Sequence, residues 1–155
     1  MRAVQHPIFE ILDEATSEGV LRRNHVGRIA FVHANRVDVE PISYVYADGW
    51  IHGRTSPGTK LTALHANPWV AVEVDEIEDA SNWQSVVVHG TVYFGEPNVV
   101  GAAHEAYDTT LTKLREVNHT VLSDEDSAPH RRELFRVHVD EMTGRAATTH
   151  FEVGT

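Results

Sequence analysis

The sequence predicts a mainly β fold: a small closed or split β-barrel of about six strands with a few short flanking helices. Three observations carry this. Short runs of β-branched and aromatic residues recur along the chain, tight turns join most of them, and regular β-α-β alternation is missing. The chain has 155 residues, 41% hydrophobic and 23% charged, which is enough for one sizeable core and one domain over residues 1–155.

The elements follow in order. Residues 7–17 place Ile8, Ile11, Leu12 and Ala15 on one face, and Pro7 suits a first helical turn, so a short amphipathic helix is expected there. Residues 26–32, Val-Gly-Arg-Ile-Ala-Phe-Val, have the content of a strand and lead into the turn-like Ala34-Asn35-Arg36. A second strand spans residues 37–46, with a break or edge at Pro41, because proline cannot donate to a ladder. Asp48-Gly49 tolerates positive φ and turns the chain into a third strand over residues 50–54. Residues 57–68 begin with a turn, end at Asn67-Pro68 and hold Leu61 and Leu64 on one face, predicting a short helix.

Residues 69–75 and 83–94 read as two more strands, with the acidic stretch 75–79 as their connection. A second amphipathic helix is expected in residues 98–117, where Val99, Val100, Ala103, Tyr107, Leu111, Leu114 and Val117 fall near helical spacing. Residues 123–130 read as a polar, mobile loop. Residues 134–139 alternate as the last barrel strand, residues 144–146 end an irregular stretch, and residues 148–153 form a short tail strand.

Composition excludes several function classes. Thirteen Lys and Arg against 23 Asp and Glu give a formal charge of -10, which repels a polyphosphate backbone, so no nucleic-acid partner is expected. The chain has no cysteine, which removes disulfides, thiolate metal sites and Cys nucleophiles. Its first residues lack a signal-like apolar run, and no segment approaches the ~20 apolar residues of a membrane span, so a soluble cytoplasmic protein without a membrane partner is expected. The eleven histidines are scattered, none forming a helical pair beside a glutamate, and no metal site is expected.

The stretch from His52 through Gly53-Arg54-Thr55-Ser56-Pro57-Gly58-Thr59 to Lys60 has the chemistry of a phosphate cradle. Arg54 and Lys60 supply cations, Thr55, Ser56 and Thr59 supply hydroxyls, Gly58 permits close backbone approach, and a helix start presents free N–H groups. A solvated turn whose hydroxyls only cap the helix is the competing reading. The glycine spacing matches neither a Walker sequence nor a dinucleotide fingerprint.

With its surroundings this stretch resembles the pyridoxamine 5'-phosphate oxidase-like, FMN-binding split-barrel superfamily, in its nitroimidazole-resistance-type and actinobacterial branch. Residues 26–30, Pro41-Ile42-Ser43-Tyr44, residues 53–61 and residues 83–90 carry the resemblance by their order and spacing. It implies a homodimer of split barrels with one FMN in each of two interface clefts. Arg54, Thr55, Ser56 and Lys60 fall where the family grips the FMN phosphate. Ile42, Ser43 and Tyr44 would line the isoalloxazine, with Trp83, Gln84 and Ser85 approaching across the cleft. Ser85 stands where the vitamin B6 enzyme carries a flavin-contacting Gln, and no second phosphate cluster is recognisable. The pairs Arg22-Arg23 and Arg131-Arg132 read more simply as solvated. An open pocket for a small, apolar or aromatic acceptor is the implied reading rather than vitamin B6 oxidation.

Single residues keep two readings. His52 adjoins the cradle and could touch phosphate or substrate, and it also suits a barrel surface. Trp50, Trp69 and Trp83 suit core or dimer-interface anchors, and Arg145 could reach the site or pair with the acidic surface. The implied activity is flavin-mediated oxidoreduction with a nicotinamide donor and a small organic acceptor or oxygen. A deazaflavin in the same cleft, or a non-catalytic flavin- or haem-binding module, are the alternatives.

Overall fold

The computed structural model describes residues 4–152. Among them the chain forms strands β1 (Val4–Leu12), β2 (Val26–His33), β3 (Arg36–Ala47), β4 (Trp50–Thr55), β5 (Trp69–Asp79), β6 (Asn82–Phe94) and β7 (Glu133–Glu152), and helices α1 (Glu14–Arg23), α2 (Thr59–Ala66) and α3 (Ala102–Val117). The strands lie in the order β1-β7-β4-β3-β2-β5-β6, and β6 pairs back onto β7 to close a six-stranded antiparallel barrel. Closure removes most sheet edges. The seventh strand, β1, adds to the far end of β7.

Side chains alternate inward and outward along each strand. The inward set, including Ile29, Phe31, Tyr44, Ile51, Val72, Val74, Val86, Val88, Phe135 and Val137, fills the barrel. A smaller cluster of Val45, Leu114, Val121 and Leu134 seats α3 and the chain after it against the wall. Asp48 and Gly49, both at positive φ, make the β3–β4 hairpin. No helix among the described residues is long and apolar enough to cross a membrane.

Several expectations need correction. Residues 7–12 belong to β1, and a helix starts only after Asp13, whose carboxylate accepts the Thr16 amide at 2.7 Å. That cap places α1 so that Ser17, Val20 and Leu21 are buried, while Ile8, Phe9 and Ile11 stay exposed on the strand. Strand β3 runs unbroken through Pro41, which pairs with Arg28. The described β4 pairing begins only at Tyr44, so Pro41 lies where β3 has one neighbour and a missing N–H is tolerated.

The acidic stretch is not a connection. It continues β5, with Asp75 opposite Ser85 and Ile77 opposite Trp83, and the turn lies at residues 80–81. Helix α3 starts at Ala102, leaving Val99 and Val100 exposed in the preceding loop. The segments expected as a last strand, an irregular stretch and a tail are one strand, β7; Val153 lies outside the described residues. A register shift at His89–Gly90 lets β6 follow β7 along its length. Any Cβ at Gly90 would overlap the His138 carbonyl oxygen, so the close approach requires glycine.

Candidate functional site

Strand β4 delivers the cradle stretch to the start of α2. Gly58, at φ 153, is the N-cap, and no side chain accepts from the first-turn amides. Lys60 follows two residues later with its side chain only 13% exposed, its Nζ 3.0 Å from the Glu40 carboxylate on β3. Thr55 is buried and Ser56 half-buried just before the turn. Uncapped amides, a cation and two hydroxyls around an open glycine suit an anionic group such as a phosphate.

Arg54 is engaged elsewhere. Its guanidinium donates two hydrogen bonds, 2.6 and 3.0 Å, to the carboxylate of Asp126, whose side chain is completely buried. Asp126 also accepts the amides of Leu122 at 2.8 Å and Ala128 at 3.0 Å. The Arg54 guanidinium, followed by the Ala128 amide, holds the Asp126 carboxyl well below the usual carboxylate range. Residues 123–130, expected as a mobile loop, therefore fold around a buried anchor.

His52 lies in the core rather than at the cradle surface. It is 1% exposed, with Nδ1 2.8 Å from Thr110 Oγ1 on α3. Burial, then the charges of Arg136 and Lys113, lower its pKa to about 4, so the ring is neutral at pH 7. Residues of the β3 triplet divide by the strand's alternation. Ser43 faces outward, Ile42 is buried, and the buried Tyr44 hydroxyl donates to the Leu21 carbonyl at 2.8 Å. Burial raises the Tyr44 phenol far above its ordinary value.

The register puts Ser43 opposite Val26, Arg28 opposite Glu73, and Asp75 opposite Ser85. Ser43 and Ser85 thus share the barrel's outer face, with β2 and β5 between them. Arg28 bridges Glu73 at 3.5 Å and Asp75 at 3.4 Å, while the Ser85 hydroxyl donates to Glu73 at 2.8 Å. Burial is the main cause that raises the Glu73 carboxyl.

A pocket of about 330 Å³ joins Ser43, Tyr44 and Arg54 to Val26, Leu114, Val117, Val121 and Arg131. Trp83 and Gln84 line a different, shallower pocket of about 500 Å³ with Arg23, Glu76 and Ile77. One chain therefore brings Ser43, Tyr44 and Arg54 to one pocket, while Ile42, His52, Thr55, Ser56 and Lys60 do not line it and Trp83 and Gln84 line another. Sequence reasoning missed Asp126, Thr110 and the α3 wall. Asp126 sits among Ser123, Asp124 and Glu125, and nothing in that run distinguishes the buried carboxylate from its solvated neighbours.

The family described as pyridoxamine 5'-phosphate oxidase matches residues 13–146. The chain is 27% identical over 143 residues to the uncharacterised protein RA0666 of Rhizobium meliloti, covering 88% of this chain and 94% of that protein. Among solved structures, an FAD-binding protein (mll6688) from Mesorhizobium loti superposes with a TM-score of 0.72 at 29% identity, over 91% of this chain and 99% of that one. The conserved protein of unknown function DIP1874 from Corynebacterium diphtheriae gives a TM-score of 0.65 at 27% identity, over 90% and 98%.

Proposed function

We propose, since the chain belongs to the pyridoxamine 5'-phosphate oxidase family, that it is an FMN-binding flavoprotein acting as an oxidoreductase on a small organic molecule. The observation that carries this reading is the uncapped start of α2 beside Lys60, an anion site offered by a chain whose 29%-identical structural relative is described as FAD-binding. Lys60, Ser56, Thr55 and the first-turn amides of α2 would hold the phosphate, Lys60 exchanging Glu40 for it. Arg54 is held by Asp126 instead. Ile42, Ser43 and Tyr44 would flank the ring through the β3 backbone and the outward Ser43 hydroxyl. A bound flavin supplies two-electron transfer between a nicotinamide donor and an organic acceptor or oxygen.

We further propose a homodimer in which Trp83, Gln84 and Ser85 of the second protomer complete the cleft. Supporting this are the outward side chains Val26, Val37 and Val39 on β2 and β3, which are 62%, 71% and 61% exposed on one face. Sedimentation should return about twice 17.3 kDa.

The test is the visible spectrum of the purified protein and identification of the released chromophore. A flavin spectrum with FMN released supports the reading; a deazaflavin or a Soret band replaces it. Lys60→Ala should weaken FMN by about tenfold or more while leaving riboflavin unaffected, as expected for a lost charge-assisted hydrogen bond. Equal FMN affinity in parent and variant would remove the phosphate assignment.

A further inference from the structure

The pocket between β3 and the end of α3 is a built feature. Val26, Val45, Leu114, Val117 and Val121 give it mainly apolar walls, and its volume of about 330 Å³ falls within the range of small-molecule sites, roughly 300–1,000 Å³. Asp126 fixes the outer wall by accepting from Arg54 and from the amides of Leu122 and Ala128. Two arginines line the cavity, and they differ. The charge of Arg54 is cancelled by a buried carboxylate, whereas Arg131 makes no ion pair among the described residues. Its backbone N–H donates to the Ala128 carbonyl at 3.0 Å, tying it to the same wall. Ser43 and Ser127 line the cavity as well, and neither hydroxyl has a partner among the described hydrogen bonds.

Arg131 is thus a cation on a mainly apolar lining that no carboxylate meets among the described residues, in a chain of net charge -10. Elsewhere Arg22 meets Glu18, Arg23 meets Glu76, and Arg28 meets Glu73 and Asp75, while Arg36, Arg115, Arg132, Arg136 and Arg145 make no ion pair among the described residues but do not line this cavity. A small uncharged ligand would leave Arg131 with nothing to do, and a cationic one would be repelled. A ligand with an apolar or aromatic body and a carboxylate uses every part of the lining: the body removes the valine and leucine walls from water, and the anion takes the guanidinium and the serine hydroxyls.

We propose that this pocket is the substrate site and that it takes small aromatic carboxylates, with Arg131 as the residue that selects for the negative charge. The term substrate rests on the flavoprotein reading above, because Ser43 and Tyr44 belong both to this lining and to the proposed ring site. Binding to the pocket does not rest on it.

The experiment titrates the full-length protein, with and without FMN, using 4-nitrobenzoate and uncharged nitrobenzene, followed by amide chemical shifts. 4-Nitrobenzoate should move the amides of Val26, Ser43 and Ala128. Arg131→Ala should weaken 4-nitrobenzoate about tenfold and leave nitrobenzene within about twofold, the size of a lost charge-assisted contact. Val117→Trp, which fills the cavity from the exposed end of α3, should abolish both. Unchanged 4-nitrobenzoate affinity in Arg131→Ala, or shifts confined to amides elsewhere, would overturn the proposal. FMN binding without any 4-nitrobenzoate effect would overturn it while sparing the flavoprotein reading; 4-nitrobenzoate binding at these amides without FMN binding would support the site and remove the flavin.

Discussion

Residues 75–82 and residues 118–132 look alike in the sequence: both are polar, both are rich in acidic side chains, and both read as connections between apolar elements. They hold their shapes in opposite ways. In the first, a backbone ladder does the work, with Asp75, Glu76, Ile77 and Asp79 each paired across to β6, so the acidic side chains only decorate a strand. In the second no ladder runs: local turns, the buried Val121 and an Arg115 Nε bond to its carbonyl at 2.9 Å shape the segment, and one buried carboxylate ties it to β4, accepting two bonds from Arg54 and one each from Leu122 and Ala128. A distributed support tolerates loss of any member. A support concentrated on one buried carboxylate tolerates it far less.

The largest effect should therefore come from Arg54→Ala. Removing one partner of a buried pair strands the other, and for a domain of this size the expected fall in Tm is about 10 °C. Hydrogen exchange should quicken at Leu122 and Ala128, while Val74 and Val86 in the β5–β6 ladder keep their protection. A Tm within about 2 °C of the parent would mean that Val121 and the local turns hold the loop without Asp126 and that the contrast is wrong.

Acid should separate the anchor from its surroundings. The Asp126 carboxyl lies below its ordinary range in the fold, so its contribution is present above the unfolded value and is lost only as pH falls well below about 4. His52, at the other end of the α3 packing, acts earlier. Its pKa is lowered to about 4 from an ordinary value near 6.5, so the unfolded chain takes up the proton first and stability declines as pH drops between those values. Allowing for residual screening, the loss is about 2 kcal/mol. Urea unfolding at pH 7, 5.5 and 4.5 should show this slope in the parent and flatten it in His52→Gln, with Leu122 and Ala128 still protected at pH 4.5. The same slope in the variant would remove His52 as its source.

The same distinction explains what could be read from the sequence. Barrel strands were legible because burial repeats every second residue, as in β2 with Ile29 and Phe31 inside and Val26 and Arg28 outside. The cations and hydroxyls from Arg54 to Lys60 stood out because they are contiguous in the chain. By contrast, Arg54 and Asp126 are 72 residues apart, and nothing local announces that they meet. The joining of three expected segments into β7 was hidden for a related reason: their continuity depends on pairing with β1, β4 and β6, which lie far away in sequence. Residues 7–12 satisfied a helical spacing by coincidence, and the deciding signal was the cap at Asp13.

The smallest expected effect is at the hairpin's own ion pair. Arg23, in the last turn of α1, reaches Glu76 on β5 and donates to Gln84 Oε1 on β6 at 3.1 Å, and Asn24 also donates to Glu76 at 2.9 Å. Arg23, ahead of the opposing cost of burial, lowers the Glu76 carboxyl below its ordinary value. The side chains of the pair are 51% and 33% exposed, so water and salt screen it, and Arg23→Ala should cost only about 0.5 kcal/mol. Most of that should vanish at molar salt, where the screening length is about 3 Å. Because the neighbouring ladder is untouched, the amides of Glu76 and Gln84 should keep their exchange rates. A loss above about 2 kcal/mol, persisting in salt, would place Arg23 in the same class as Arg54. The two acidic stretches would then differ in degree and not in kind.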